Sequence, residues 1–346
     1  MTMVADTSYP ATVALDGVGA GHSDKIRLSK HFEILFLRGG ALAVFGLVFG
    51  YFSVATPFFL SVGNLGNVLS QSAIAGVLAI GLTVVLIAGG SNVVKGGIDL
   101  SLAANMGLSA AVYATLLQSG HGDGVAAAGA LGVGLLIGAV NAFAVTIAGI
   151  APLLATLAVM NIVAGLELVL TQNTVISASS DVLSAFSGYG PLDIPVLAYV
   201  LVIVTIFAAA IVQYTPVGLR LYAVGEFPEA ATASGLRVKR FVAGSFLASG
   251  FCGGVAGILS VSYLSGSTTG AGEMLLPVVV IALLGSVFSR RLVPTITGTF
   301  LSAIFIGCLI NGFQLLNISS TLVNGIQGVL ILLVVSATTI LRRENR

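Results

Sequence analysis

Residues 68–88 read VLSQSAIAGVLAIGLTVVLIA, a run without a single Asp, Glu, Lys or Arg. The hydrocarbon core of a bilayer is about 30 Å thick and takes about 20 apolar residues of α-helix to cross, so this stretch reads as a transmembrane helix. Further apolar runs lie at roughly 41–61, 98–118, 124–148, 152–172, 194–213, 241–264, 275–288, 293–313 and 320–341. The run at 275–288 is short and Pro277 interrupts its start, while the connection from 124–148 to 152–172 is minimal. Either is open to being a broken or re-entrant segment. Across the chain 57% of residues are hydrophobic and 8% charged, against about 25% charged in soluble domains, which excludes an ordinary soluble fold. A β-barrel would show alternating segments of about ten residues, whereas these runs are longer and continuously apolar. The expected fold is an all-α polytopic membrane protein with about ten transmembrane helices. Residues 1–40 form a tail and 41–346 the transmembrane domain.

Charge fixes the expected orientation. With ten spans, one side of the membrane receives Lys25, Arg27, Lys30, Arg38, Lys95, Arg220, Arg237, Lys239, Arg240, Arg290, Arg291, Arg342, Arg343 and Arg346, which are all 14 basic residues. The other side holds Asp123, Asp181, Asp193 and Glu273. Lys and Arg concentrate on cytoplasmic loops, so both termini and the 214–240 loop are expected in the cytoplasm. A net charge of +1 makes no case for nucleic-acid binding.

The chain carries 44 glycines, nearly twice the usual share of about 7%. Gly134/Gly138, Gly250/Gly254 and Gly253/Gly257 have the small-xxx-small spacing that lets membrane helices approach closely. Cys252 and Cys308 lie inside apolar runs, and His22, His31 and His121 are scattered. A structural zinc site takes four ligands, so neither a metal nor a cofactor is expected on this chain. Nothing matches the GxxxxGK[ST] phosphate loop, and no nucleophile–base pair stands out. The chain is not expected to be an enzyme.

Residues 214–240, YTPVGLRLYAVGEFPEAATASGLRVKR, interrupt the apolar pattern with Arg220, Glu226, Glu229, Arg237, Lys239 and Arg240. Pro228 suits the first turn of a helix, Glu229 complements the positive end of its dipole, and Gly235 is a natural terminator. A helix of about two turns follows, whose small alanine face suits a protein groove better than lipid. The bland alternative is an amphipathic loop lying on the bilayer.

Other polar residues are read in two ways each. Asp99 opens the 98–118 helix, either capping its free N–H groups or making a gating contact, for instance with Lys95. Glu167 lies near the outer end of its helix, either facing a watery path or reaching up to the interface. Gln71, Asn105, Asn141, Asn161 and Asn311 either line a pore or tie helices together.

The segment 225–240, with Glu-Ala-Ala, Ser-Gly and a basic stretch, resembles the cytoplasmic coupling loop of ABC importer permeases, and specifically the ribose/xylose-type sugar permeases. Gly96-Gly97-Ile98-Asp99-Leu100-Ser101 is similar to that family's most recognisable motif. Asn141 in GAVNAF, Pro152–Ala158 (PLLATLA) and Asn311-Gly312 continue the resemblance over about residues 65–340. It departs at Gly225-Glu226-Phe227-Pro228 and across 273–291. The resemblance implies the permease bundle of an ABC importer in the bacterial inner membrane, moving a monosaccharide of pentose type. It implies a second permease copy, as homodimer or related heterodimer, a periplasmic solute-binding protein, and a separate cytoplasmic ATPase that uses the ATP. That ATPase would engage Pro228, Glu229, Ala230, Ala231, Ser234, Gly235, Leu236 and Arg237. Asn141, Asn161, Glu167, Asn105 and Asn311 are the substrate-pathway candidates, and Gly97, Asp99 and Ser101 form the gating or structural motif. Branched-chain amino acids or nucleosides as cargo, and an ion-coupled secondary transporter, are the alternatives.

Overall fold

The computed structural model describes residues 43–90, 97–267, 269–289 and 293–343. Thirteen α-helices follow one another among these: α1 (Ala43–Ala55), α2 (Val62–Gly89), α3 (Leu102–Gln118), α4 (Asp123–Thr146), α5 (Pro152–Thr171), α6 (Asp181–Ser187), α7 (Val196–Tyr214), α8 (Pro216–Glu226), α9 (Pro228–Ala233), α10 (Val238–Leu264), α11 (Leu275–Leu284), α12 (Ile296–Leu315) and α13 (Ser320–Arg343). The described residues contain no β-sheet, only two isolated bridges, Ser177 with Gly266 and Tyr189 with Pro195. Six helices, α2, α4, α5, α7, α10 and α12, are long and apolar enough to cross a membrane. Each of the remaining apolar runs also holds a helix. The expected 1–40 tail lies outside the described residues, as do Lys95, Arg290 and Arg291.

Residues 68–88 lie in α2, the axis of the bundle. In α2, 89% of the most apolar window is buried inside the protein, and α7, α8, α10, α11 and α12 pack around it. By contrast α4, α5 and α7 are about one-third buried (33%, 28% and 33%) and turn Leu136, Phe143, Val169 and Phe207 outward. Apolar residues all round mark a helix either enclosed or in lipid; here both kinds occur, sorted by position.

Glycines set the closest approaches. α10 meets α4 through Gly250 and Gly254 against Gly134 and Gly138: a β-carbon on Gly134 would lie 2.5 Å from the Gly250 carbonyl oxygen. The second pair faces α3, where a β-carbon on Gly253 would strike Asn105 and one on Gly257 would come within 2.8 Å of Ser109 Cβ. The two interleaved motifs of α10 therefore serve two different neighbours.

The helix α11 has only ten residues, rising about 15 Å, half of what a span requires. A 3-10 turn at Ala271–Met274 precedes it. On the same side of the bundle, the α5–α6 connection pairs with the α10–α11 connection, Ala178 N–H to the Ser265 carbonyl at 3.1 Å and Ser267 N–H to that of Ile176 at 2.9 Å. Ser180, the N-cap of α6, accepts from Leu183 N–H and donates to Asp123 Oδ1 at 2.6 Å, an oxygen that also accepts from the Tyr113 hydroxyl. The short helices α6 and α8 were not foreseen in the sequence, because α6 falls in a loop and α8 lies before the proline that anchored the expected helix.

Candidate functional site

Three separate sequence motifs converge where α3 begins. Asp99 Oδ1 accepts from the Ser101 N–H at 3.0 Å and its hydroxyl at 2.6 Å, and Oδ2 accepts from Ser249 Oγ of α10 at 2.7 Å. Asn141 of α4 donates through Nδ2 to Ser101 Oγ at 2.7 Å and to Asp99 Oδ1 at 3.4 Å. Thr156 of the PLLATLA stretch donates to the Ile98 carbonyl at 3.3 Å, and Gly97 lies so close to α2 that a β-carbon would sit 2.8 Å from the Val85 carbonyl oxygen. Asp99 lies two residues before Ser101, the N-cap of α3, and accepts from its N–H; the same carboxyl group ties α3 to α4 and α10. Asp99→Ala would take this acceptor from the Ser249 hydroxyl and from both the N–H and the hydroxyl of Ser101, at a cost of about 1–3 kcal/mol for each group left orphaned. A lowered thermal midpoint of the purified protein is the expected result, smaller for Asp99→Asn, which keeps an oxygen acceptor. An unchanged midpoint for Asp99→Ala would count against this bracing role.

The polar loop is built from two helices rather than one. α8 starts on Pro216, with Thr215 Oγ1 accepting from Val217 N–H at 3.2 Å. Tyr222 donates to the Pro294 carbonyl at 2.8 Å, tying the loop to the connection before α12. Its other anchor is backbone on backbone: a β-carbon on Gly225 would overlap the Ile87 carbonyl, and one on Gly90, which has φ +76°, would overlap that of Gly225. α8 therefore sits directly on the end of α2. α9 starts on Pro228 and stops at Gly235, φ +85°, whose N–H donates to Thr232 while Leu236 N–H reaches back to Ala231. These paired bonds close the helix in the manner a terminal left-handed glycine allows. Ala231 is buried and Leu236 half-buried, whereas Pro228, Glu229, Ala230, Ser234, Gly235 and Arg237 are exposed, beside an exposed Phe227.

A cavity of about 400 Å³ lies among α2, α10, α11, α12 and α13. Its polar wall includes Gln71, Ser72, Tyr263, Asn324 and Gln327, with Glu273 among the exposed lining residues. Gln71 Nε2 donates to the Tyr263 hydroxyl at 3.2 Å.

The family described as branched-chain amino acid transport system / permease component matches residues 64–335. The chain belongs to that family. It is 33% identical over 309 residues to the ribose import permease protein RbsC of Bacillus subtilis (strain 168), covering 88% of this chain and 94% of the relative. To RbsC of Escherichia coli (strain K12) it is 30% identical over 289 residues, 82% of this chain and 88% of the relative. The autoinducer 2 import system permease protein LsrD of Enterobacter sp. (strain 638) is 28% identical over 301 residues, 85% and 90% of the two chains. No solved structure matches the chain.

In this permease-family chain none of the five pathway candidates lines the cavity. Asn105 Nδ2 donates to the carbonyls of Gly134 and Gly250, both at 3.3 Å, plugging the junction of α3, α4 and α10. Asn141 braces Asp99, and Asn311 exchanges amide bonds with Asn64 at 2.9 and 3.0 Å. These bonds tie helices together: the Asn105 and Asn311 amides are engaged across helix junctions, while Asn141 is engaged through Nδ2 and its Oδ1 has no partner. Asn161 is exposed on the outside of α5, donating only to the Leu157 carbonyl one turn back. Glu167 is buried and does not line the cavity, with Oε1 unpartnered and its carboxyl group against Gly107 and Ala271. Gln71 does line the cavity. Ser72, Asn324 and Gln327 went unnoticed in the sequence, where each is an ordinary polar residue in a largely apolar run.

Proposed function

We propose that the chain is the permease subunit of a bacterial ABC importer that carries a monosaccharide of pentose type across the inner membrane. Ten spans with both termini and the 214–240 loop in the cytoplasm complete this reading, supported by the one-sided placement of the basic residues. Two relatives at 30% and 33% identity are ribose import permeases, which favours sugar as cargo over the branched-chain amino acids named in the family description. The observation that carries the reading is the exposed α9, closed at both ends by its own sequence and mounted beside a helix seated on α2. A separate ATPase would grip Pro228–Arg237, and a periplasmic binding protein would deliver the solute. Asn161 stands among exposed Leu154, Leu157, Ile162 and Leu166 on α5. An amide there favours a helix partner over lipid, which supports pairing of two copies through this face.

Glu229→Arg and Gly235→Pro test the docking. Proline holds φ near −65° and cannot adopt the +85° of Gly235. Both variants are expected to insert normally but to co-purify with the ATPase about tenfold less, a loss of about 1.4 kcal/mol, with uptake falling in step. Normal co-purification and uptake in both would defeat the assignment. Cargo is decided by which of D-ribose, L-leucine or adenosine stimulates ATP hydrolysis by the reconstituted importer.

A further inference from the structure

The cavity among α2, α10, α11, α12 and α13 carries chemistry that helix packing leaves unused. Ser72 and Gln327 are each 1% exposed, yet Ser72 Oγ and Gln327 Oε1 have no hydrogen-bond partner. A buried polar group left so costs about 1–3 kcal/mol, and the two lie in the wall of one cavity. At about 400 Å³ it falls in the range of about 300–1,000 Å³ typical of small-molecule sites. Gly307 keeps room for Ser72, since a β-carbon there would overlap the Ser72 hydroxyl. Asn324 and Gln327 are three apart on α13, and so share one face. Ile74, Ile306 and Ile310 provide apolar surface between these groups.

The lining also says what would fit. It holds amides and hydroxyls but no Lys, Arg or His among the described residues, and its one carboxyl group, on Glu273, is exposed. A phosphorylated or carboxylated ligand would find no counter-charge. A sugar offers hydroxyls that both donate and accept, and C–H faces for the isoleucines.

We propose that this cavity is a binding site for a neutral polyhydroxyl molecule of pentose size, held within a single permease copy. Ligand hydroxyls hydrogen-bond to Gln71 and Tyr263, half-buried in the wall, and to Gln327 Oε1 and Ser72 Oγ once these closed-off side chains turn toward the cavity. The proposal deepens, and rests on, the sugar-importer reading above. It adds a holding point inside each copy, distinct from any passage between two copies.

Asn324→Cys in the full-length protein, reconstituted in nanodiscs, provides the test. The rate of its modification by a methanethiosulfonate reagent is measured alone and with D-ribose, ribitol, L-leucine or adenosine, beside the wild-type protein with its buried Cys252 and Cys308. Ribose or ribitol is expected to slow modification severalfold, and adding Gln327→Leu is expected to remove that protection. A second readout avoids the new cysteine: ribose raises the thermal midpoint of the wild-type protein, and Gln327→Leu or Ser72→Ala cancels the rise. No protection and no thermal shift by either polyol overturns the proposal, leaving a cavity that holds only water. Protection by leucine or adenosine alone overturns the ligand class. Ribose uptake by the complete importer without protection sinks the cavity and spares the importer reading, whereas protection without uptake does the reverse.

Discussion

Gly225→Ala is expected to stop solute uptake in a protein that still inserts into the membrane. The added carbon would overlap the Ile87 carbonyl at the end of α2. Both sides of this contact are backbone, so no flexible side chain can move aside. Overpacking of this kind costs about 1–3 kcal/mol, and here relief comes only by lifting α8 off its seat. The α8–α9 loop would then lose its direct purchase on α2, the helix that contributes Gln71, Ser72, Ile74 and Ala75 to the cavity. Uptake by the reconstituted importer should fall at least about tenfold, since about 1.4 kcal/mol corresponds to one decade, with ATP hydrolysis no longer responding to solute. Gly244→Ala serves as the control, since a β-carbon there meets nothing within 4 Å, and it should transport normally. Uptake by Gly225→Ala equal to that control would show that the seat on α2 transmits nothing.

Gly250→Leu is expected to prevent assembly of the bundle altogether. Even the β-carbon of alanine at this position would overlap the Gly134 carbonyl and lie 2.8 Å from the α-carbon of Gly138. In lipid, helix association depends on such close packing more than on hydrophobic burial, so the gap cannot be widened cheaply. Gly250→Ala should lower stability by about 1–3 kcal/mol, and leucine should leave no monodisperse protein on extraction. Gly132→Ala, on α4 but facing open space, should behave as wild type. A monodisperse Gly250→Leu protein with an unchanged thermal midpoint would refute the glycine seam between α4 and α10.

Much of this architecture was legible in the sequence because the signals are local. Pro228, Glu229 and Gly235 announce the start and stop of α9 within eight residues, and uninterrupted apolar runs announce the long helices. Roles that depend on distant partners were not legible. Asn141 and Asp99 are 42 positions apart, and Asn64 and Asn311 are 247 apart, so no spacing rule distinguishes an amide that ties helices from one that faces a cavity. Ser72 and Gln327 are the reverse case, ordinary in sequence and set apart by an unpartnered oxygen on a residue that borders the cavity. Gln71 is in the sequence one more amide beside the asparagines, with nothing local to rank it above them.

The enclosure of α2 also bears on how the protein is made. α2 ends at Gly89, while α12, one of the helices that wrap it, begins at Ile296. At about 5–20 residues per second of synthesis, that partner emerges roughly 10–40 s later. During this interval α2 has only lipid and its early neighbours for company. An apolar surface on every side, with no use against lipid in the finished bundle, lets the helix wait in the bilayer until the later helices arrive. Its greasiness is thus a requirement of biogenesis as well as of the packed core.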